Sequence, residues 1–261
     1  MSTVHAGQSV ILTEEQMKHY GEQGYIIFEE LFSNEEMDRV RGLIDAFDEE
    51  SERELREKER NGDFISTAGK INFTANLNFR HPRLQRFSAD QRFVDITTAI
   101  LGPDTKLYWD QSVYKRPEAD RDFPWHQDNG YAPTSPVHYL TCWLALEDTT
   151  IENGCIWVKP GSHRQGFVKH VKTDIGWVCY FGEDPGIPVE LKKGSMVAFH
   201  SLLFHRSTPN LSKTTTRKGY VLQYSVDGSF NPDTNQVYRN GPLIARGGVS
   251  AYTGFVPQEY C

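Results

Sequence analysis

A change of hydrophobic period near residue 105 constrains this chain more than any other feature. Before that point apolar residues recur at helical spacing. After it they come in short runs rich in Val, Ile, Tyr, Phe and Trp, broken by Gly, Pro, Asn and Asp, at 106–114, 138–146, 155–158, 196–199 and 219–226. Short strands between turn residues predict an antiparallel sandwich or barrel. Helices first and strands afterwards predict a mainly β protein with flanking α helices packed outside the β core.

The helical part carries its own punctuation. Thr13 stands three residues before Gln16, the spacing of a capping box. A short β-type run at 24–28 follows, and Ser33-Asn34-Glu35-Glu36 opens a second helix. Met37, Val40, Leu43, Ile44 and Phe47 share one face of that helix. The charged stretch 48–60 reads as a solvated helix, with an active-site lid as the alternative. A third helix is expected around 86–101, ending at Gly102-Pro103. No internal repeat or linker divides the chain. One domain over 1–261 is expected, with a helical part at about 10–102, a β core at about 106–230 and a C-terminal lid, extension or subunit contact at 231–261.

Bulk properties exclude some function classes. The 261 residues carry a formal net charge of −7, which argues against nucleic acid and against an anionic membrane surface. No apolar run reaches the roughly 18 residues of a membrane span, and residues 1–8 lack a signal-peptide pattern. A cytoplasmic protein with a small-molecule substrate is expected. Cys142, Cys155, Cys179 and Cys261 show no CxxC spacing and read as reduced thiols, Cys261 without an assignable role. The sequence leaves the oligomeric state open.

Chemistry concentrates in Trp125-His126-Gln127-Asp128 and, far downstream, Phe204-His205-Arg206. Two imidazoles and one carboxylate form the set that holds non-haem Fe(II) while leaving positions open for reactants. On a strand, residues two apart face the same side, so His126 and Asp128 would point together. His205 would join them from a strand adjacent in space.

Between these lie Trp143-x-Ala145-Leu146-x-Asp148, Glu152-Asn153-Gly154 and Pro160-Gly161-Ser162-His163. With the H-x-D and the later histidine, this series resembles the phytanoyl-CoA dioxygenase (PhyH-like) family over roughly residues 10–230. The resemblance implies a double-stranded β-helix (a jelly roll, cupin-like). It also implies Fe(II) bound by His126, Asp128 and His205, with 2-oxoglutarate and O2 as co-substrates. The implied reaction hydroxylates an unactivated C–H of a small organic substrate and releases succinate and CO2. Resembling halogenases lack the carboxylate that Asp128 supplies, which disfavours halogenation here.

The far carboxylate of 2-oxoglutarate calls for a buried, permanently charged, bidentate partner. Arg217 matches the family position, with Lys218 the less apt neighbour. Gln111, Trp143, Tyr108 and Lys70 map to co-substrate positions. Ser225, at an even offset from Arg217, would share its face. On the substrate side, polar residues alternate through 70–78, so Asn72 and Asn76, and with them Asn78, would face the pocket. Asn129, Gly130 and Tyr131 follow the metal motif and would rim it. These polar groups suggest a small polar or charged substrate. An acyl-CoA would favour basic clusters such as Lys169-His170-Lys172 or Lys192-Lys193. His163 matches a structural position, and His200 belongs to packing around the site. Two other classes compete: a non-oxidative metal-dependent cupin-type isomerase or lyase, which would need no Arg217, and a non-catalytic jelly-roll binding protein.

Overall fold

A computed structural model describes residues 9–57, 65–174, 176–238 and 241–258. Residues 58–60 of the charged stretch and Cys261 lie outside the described residues. Helix α1 (Glu14–Gln23) opens with the expected capping box. Thr13 accepts from the Gln16 N–H, and the Gln16 side chain accepts from the Thr13 N–H. It ends at Gly24, whose φ of 86° favours glycine. An added Cβ there would lie 2.5 Å from His163 Nδ1. Strand β1 (Tyr25–Phe28) leads to helix α2 (Asn34–Glu57), where Ser33 and Glu36 repeat the reciprocal cap. Met37, Val40 and Ile44 are buried, with Leu43 and Phe47 packed beside them.

The single helix expected at 86–101 is broken. After strand β2 (Ile71–Ala75) the chain forms α3 (Leu77–Arg80), α4 (Pro82–Ser88) and α5 (Gln91–Leu101). Asp90 makes the break: its side chain accepts from the Arg92 N–H and so caps a new helix. Arg92 is 1% exposed and bonds Glu36, Asp90 and the Leu31 carbonyl, tying α5 to α2.

The β core is two antiparallel sheets. The larger runs β1, β10 (Met196–His200), β5 (Leu140–Ala145), β12 (Arg217–Val226), β3 (Thr105–Lys115), β13 (Leu243–Arg246), β14 (Val249–Ser250). β2 and β13 share the free edge of β3, at its two ends. The smaller sheet runs β4 (Phe123–His126), β11 (His205–Ser207), β6 (Ile156–Val158), β9 (Ile187–Val189). A separate hairpin pairs β7 (Val171–Thr173) with β8 (Gly176–Val178). The result is the expected jelly roll.

Strand alternation makes two cores. Leu140, Cys142 and Leu144 of β5, with Tyr220, Leu222 and Tyr224 of β12, pack against the helices. Trp143, Ala145 and Val221 face inward with Val113, Ile156 and Phe199. Strands covered on both faces read as nearly unbroken apolar runs. One irregularity bears on the site. Gln223 pairs with Trp109 and Tyr224 with Leu107, leaving Tyr108 without a partner on β12. At this bulge consecutive residues, Tyr108 and Trp109, both turn to the interior. The C-terminal segment adds β13 and β14 to the sheet, and Val256 bonds Gln85 of α4 through both backbone groups. Among the described residues no helix is long and apolar enough to cross a membrane.

Candidate active site

His126 ends β4, and His205 begins β11 directly opposite it, with ring centroids 4.0 Å apart. Asp128 does not extend the strand as expected; it opens a 3-10 turn at Asp128–Gly130. The turn brings its carboxylate back over the two rings. Asp128 Oδ1 lies 3.6 Å from His126 Nε2 and 3.3 Å from His205 Nε2. Among the described residues these three form the one group able to hold a metal ion, with ligand atoms within 4.8 Å of one another.

The surroundings fix each donor. His126 Nδ1 is 2.8 Å from the Pro124 carbonyl and His205 Nδ1 is 3.0 Å from the Leu203 carbonyl. A carbonyl only accepts, so each Nδ1 carries a hydrogen, and Nε2 is the atom that each ring turns to the centre, where a metal would be ligated. Burial, then the neighbouring His205, pushes the His126 pKa down to about 4, so the ring is neutral near pH 7. Burial alone would raise the Asp128 carboxyl, but His205 and His126 hold it well below the usual carboxylate range.

Two residues that the sequence reading missed hold the other carboxylate oxygen. Thr141 Oγ1 donates to Asp128 Oδ2 at 2.5 Å and Gln223 Nε2 at 3.0 Å. Thr141 and Gln223 are cross-strand partners on β5 and β12. Their signal was parity: Thr141 lies two residues from Trp143, and Gln223 six from Arg217, on the same inward face.

The triad opens into a cavity of about 440 Å³. At its far end stands Arg217, 1% exposed. Nη1 donates to the Val113 carbonyl at 3.3 Å, Nε has no partner, and the Trp143 ring lies 5.3 Å away. No carboxylate of the described residues pairs with it. Burial pushes its pKa down to about 10, so it stays charged at neutral pH. Gln111 and Ser207 line the same cavity, and Gln111 Oε1 accepts from Trp109 Nε1.

Of the residues singled out in the sequence, His126, Asp128, His205, Arg217, Gln111, Trp143, Tyr108 and Tyr131 line this one cavity. Others do not. Ser225 shares the parity of Arg217 but lies eight residues along the strand, about 27 Å away at the rise of a β-strand. There it is buried against Ser229. Lys70 is half-exposed and ion-paired with Asp120. The polar alternation through β2 is inverted relative to expectation. Ile71 and Phe73 join the core between the sheets, and Asn72 turns to α2, donating to Asp48. Asn76 precedes α3 with φ 58°, Asn78 donates to Asp110, and Asn129 donates to Thr134. Lys192 and Lys193 are ion-paired with Asp148 and Asp38. His200 stacks on His138 at 4.0 Å, beside Tyr20 on the helix side.

Aromatic rings line much of the cavity. Phe73, Phe123 and Tyr131 form one wall, with centroids 5.3 and 6.0 Å apart. Tyr108, Tyr139 and Tyr238 form the other, at 5.1 and 4.8 Å. Tyr238 comes from the C-terminal segment and is fixed by its hydroxyl to the Pro133 carbonyl. Tyr131 accepts from the Trp177 N–H.

Comparison with known proteins agrees with this geometry. The chain belongs to the phytanoyl-CoA dioxygenase (PhyH) family, whose description matches residues 20–219. A Dictyostelium discoideum relative, a phytanoyl-CoA dioxygenase domain-containing protein 1 homolog, is 26% identical over 272 residues, covering 88% of this chain and 95% of that one. Among solved structures, the α-ketoglutarate-dependent carbocyclase SnoK from nogalamycin biosynthesis superposes with a TM-score of 0.70. The identity is 21%, with 92% of this chain and all of that chain covered. The epimerase SnoN, in complex with Fe3+, α-ketoglutarate and nogalamycin RO, gives 0.67 at 20% identity, covering 94% and 97%. At these identities the structural likeness is one of fold. Iron and 2-oxoglutarate are the cofactor and co-substrate of this family, and the donor set fits both. The triad offers two imidazole nitrogens and a carboxylate, and Arg217 is a buried cation with no carboxylate of the described residues paired to it.

Proposed function

We propose that this protein is an Fe(II)- and 2-oxoglutarate-dependent oxygenase that hydroxylates an unactivated C–H of an uncharged, ring-bearing substrate. The observation that carries the reading is the buried Arg217 guanidinium, paired with no carboxylate of the described residues, in the same cavity as the His126–Asp128–His205 group. A buried, uncompensated cation is unfavourable unless a ligand neutralises it. The far carboxylate of 2-oxoglutarate is such a ligand, and a guanidinium can take it bidentately.

In this reading His126, Asp128 and His205 hold the metal. Thr141 and Gln223 keep Asp128 turned so that Oδ1 faces it. Gln111, Ser207 and Trp143 border the co-substrate. Bound iron supplies the oxidative decarboxylation of 2-oxoglutarate to succinate and CO2, coupled to substrate oxidation. The two aromatic walls exclude water and present ring faces to the substrate. Tyr238 donates its hydroxyl hydrogen to the Pro133 carbonyl and Tyr131 accepts from the Trp177 N–H, and the ring faces of the two walls support an apolar, ring-containing substrate over the polar one expected from the sequence. Among the described lining residues Asp128 is the one carboxylate, and His126 and His205 are the histidines. A non-oxidative isomerase or lyase has no use for a buried cation such as Arg217 in the same cavity, which favours an oxygenase. The free thiols Cys142, Cys155 and Cys179 suit the cytoplasm, which we keep as part of this proposal.

The test is Fe(II)-dependent succinate formation from 2-oxoglutarate, screened with neutral polycyclic phenols against acyl-CoA thioesters. Under labelled O2 the product of a stimulating compound should gain one labelled oxygen. Stimulation by acyl-CoA alone would overturn the substrate class, and a product without labelled oxygen would overturn hydroxylation.

A further inference from the structure

We infer that Lys115 is a positioning residue for the co-substrate: from the floor of the barrel it fixes the Ser207 hydroxyl as a donor toward the carboxylate that Arg217 receives. This rests on the 2-oxoglutarate reading above and extends it to a residue that no sequence motif singles out.

Lys115 is fully buried at the end of β3. It stands directly opposite Arg217 on β12 and shares the inward face of Gln111 and Val113. Its side chain crosses from the larger sheet to the smaller one. Nζ lies 3.0 Å from Ser207 Oγ, 2.6 Å from the Thr208 carbonyl and 3.4 Å from the Ser207 carbonyl. An ammonium has three hydrogens and no lone pair. Three oxygens take those three hydrogens, so Ser207 Oγ accepts from Lys115 and its own hydrogen must go elsewhere. Ser207 lines the cavity with Arg217, and that is where its hydrogen finds space. A hydroxyl donor and a guanidinium that line one cavity suit a shared anion.

The charge balance points the same way. Two cations, Arg217 and Lys115, are buried on one rung of the sheet; Asp122 attracts Lys115 through space, but no carboxylate of the described residues is hydrogen-bonded or ion-paired to either. Burial, and next the charge of Arg217, holds the Lys115 ammonium well below the usual lysine range. An anion placed between the two would reverse that repulsion, so co-substrate and charged lysine stabilise each other.

The experiment compares two 2-oxoacids on the Fe(II)-loaded protein without oxygen. 2-Oxoglutarate carries the distal carboxylate and 2-oxobutyrate lacks it. Dissociation constants come from the visible charge-transfer band of the bound 2-oxoacid, for wild type, Lys115→Met, Ser207→Ala and the double variant. Lys115→Met should weaken 2-oxoglutarate about tenfold, the worth of one charge-assisted hydrogen bond, and leave 2-oxobutyrate unchanged. Ser207→Ala should show the same contrast. The double variant should lose little more than either single one, because both remove the same donor.

Equal weakening of both 2-oxoacids would mark Lys115 as a strut and overturn the inference, as would fully additive losses. Should Lys115→Met fail to fold, Lys115→Gln takes its place: undiminished 2-oxoglutarate binding in that variant, or in Ser207→Ala, refutes the inference. Wild-type protein that binds neither 2-oxoacid overturns the functional reading and this inference with it. Wild type and Lys115→Met binding 2-oxoglutarate equally overturns this inference alone.

Discussion

Replacing Arg217 by methionine should stabilise the ligand-free protein and destroy its affinity for 2-oxoglutarate. The side chain is 1% exposed, makes one long hydrogen bond at 3.3 Å and leaves Nε bare. Its pKa is pushed down to about 10 by burial. Against an ordinary guanidinium, at about 1.4 kcal/mol per pKa unit, that is a penalty of about 3 kcal/mol for the charged form. Methionine matches the length of the side chain without the charge. Replacing an uncompensated buried ion by an apolar group of similar size gains about 1–3 kcal/mol. In a chain of this size each kcal/mol moves the melting temperature by about 2–4 °C. The same change removes the bidentate partner of the carboxylate, a loss of about 2 kcal/mol or more, at least thirtyfold in affinity. Urea unfolding of metal-free protein gives the first number, and anaerobic 2-oxoglutarate titration of iron-loaded protein gives the second. A variant that is destabilised by 1 kcal/mol or more and still binds 2-oxoglutarate would refute the reasoning, because Arg217 would then be a structural cation.

Other consequences follow from the same geometry. Thr141→Val or Gln223→Leu frees Asp128 Oδ2 and should lower Fe(II) affinity by about 10–100-fold, as loss of ligand-orienting bonds does; unchanged affinity in a competition titration would contradict the assigned role. Gly219→Ala would place a Cβ 2.2 Å from Trp143 Cζ2, an overpacking cost of about 1–3 kcal/mol, and should disturb the tryptophan ring beside Arg217. Its unfolding curve and tryptophan fluorescence should both shift. Burial pushes His138 down to about 4 and, with His138 as the next cause, His200 down to about 3. A histidine depressed in the folded state contributes stability that is intact above its unfolded pKa near 6.5 and is lost as pH falls toward 4. The unfolding free energy should therefore drop over that window, and a His138→Phe, His200→Phe double variant should show a shallower slope. An identical slope in both proteins would remove the stacked pair as a cause.

The sequence showed features that rest on local geometry. The capping box at Thr13, the helix start at Ser33, the apolar face of α2 and the change of period near 105 all depend on residues a few positions apart. The metal set was legible because His126 and Asp128 are neighbours in sequence, although a turn and not a strand unites them. What stayed hidden depends on contacts between distant strands. Thr141 and Gln223 find Asp128 only once β5 and β12 pair, and Lys115 finds Ser207 only once the two sheets face each other. Ser225 misled because parity gives the face of a residue and not its distance along the strand. The asparagines of β2 misled because the cavity lies on the apolar face, and their polar face turns to α2. The break at Asp90 was masked by helical spacing that continues across it.

The most direct test of the account is the anaerobic titration of Fe(II)-loaded protein with 2-oxoglutarate, followed by the visible charge-transfer band of a metal-bound 2-oxoacid. Wild type should give a saturable band, and Arg217→Met weak, poorly saturating formation. Asp128→Ala should give none, because it should not retain iron. Iron retention by wild type without any band would contradict the account and favour a non-oxidative metal enzyme on the same fold.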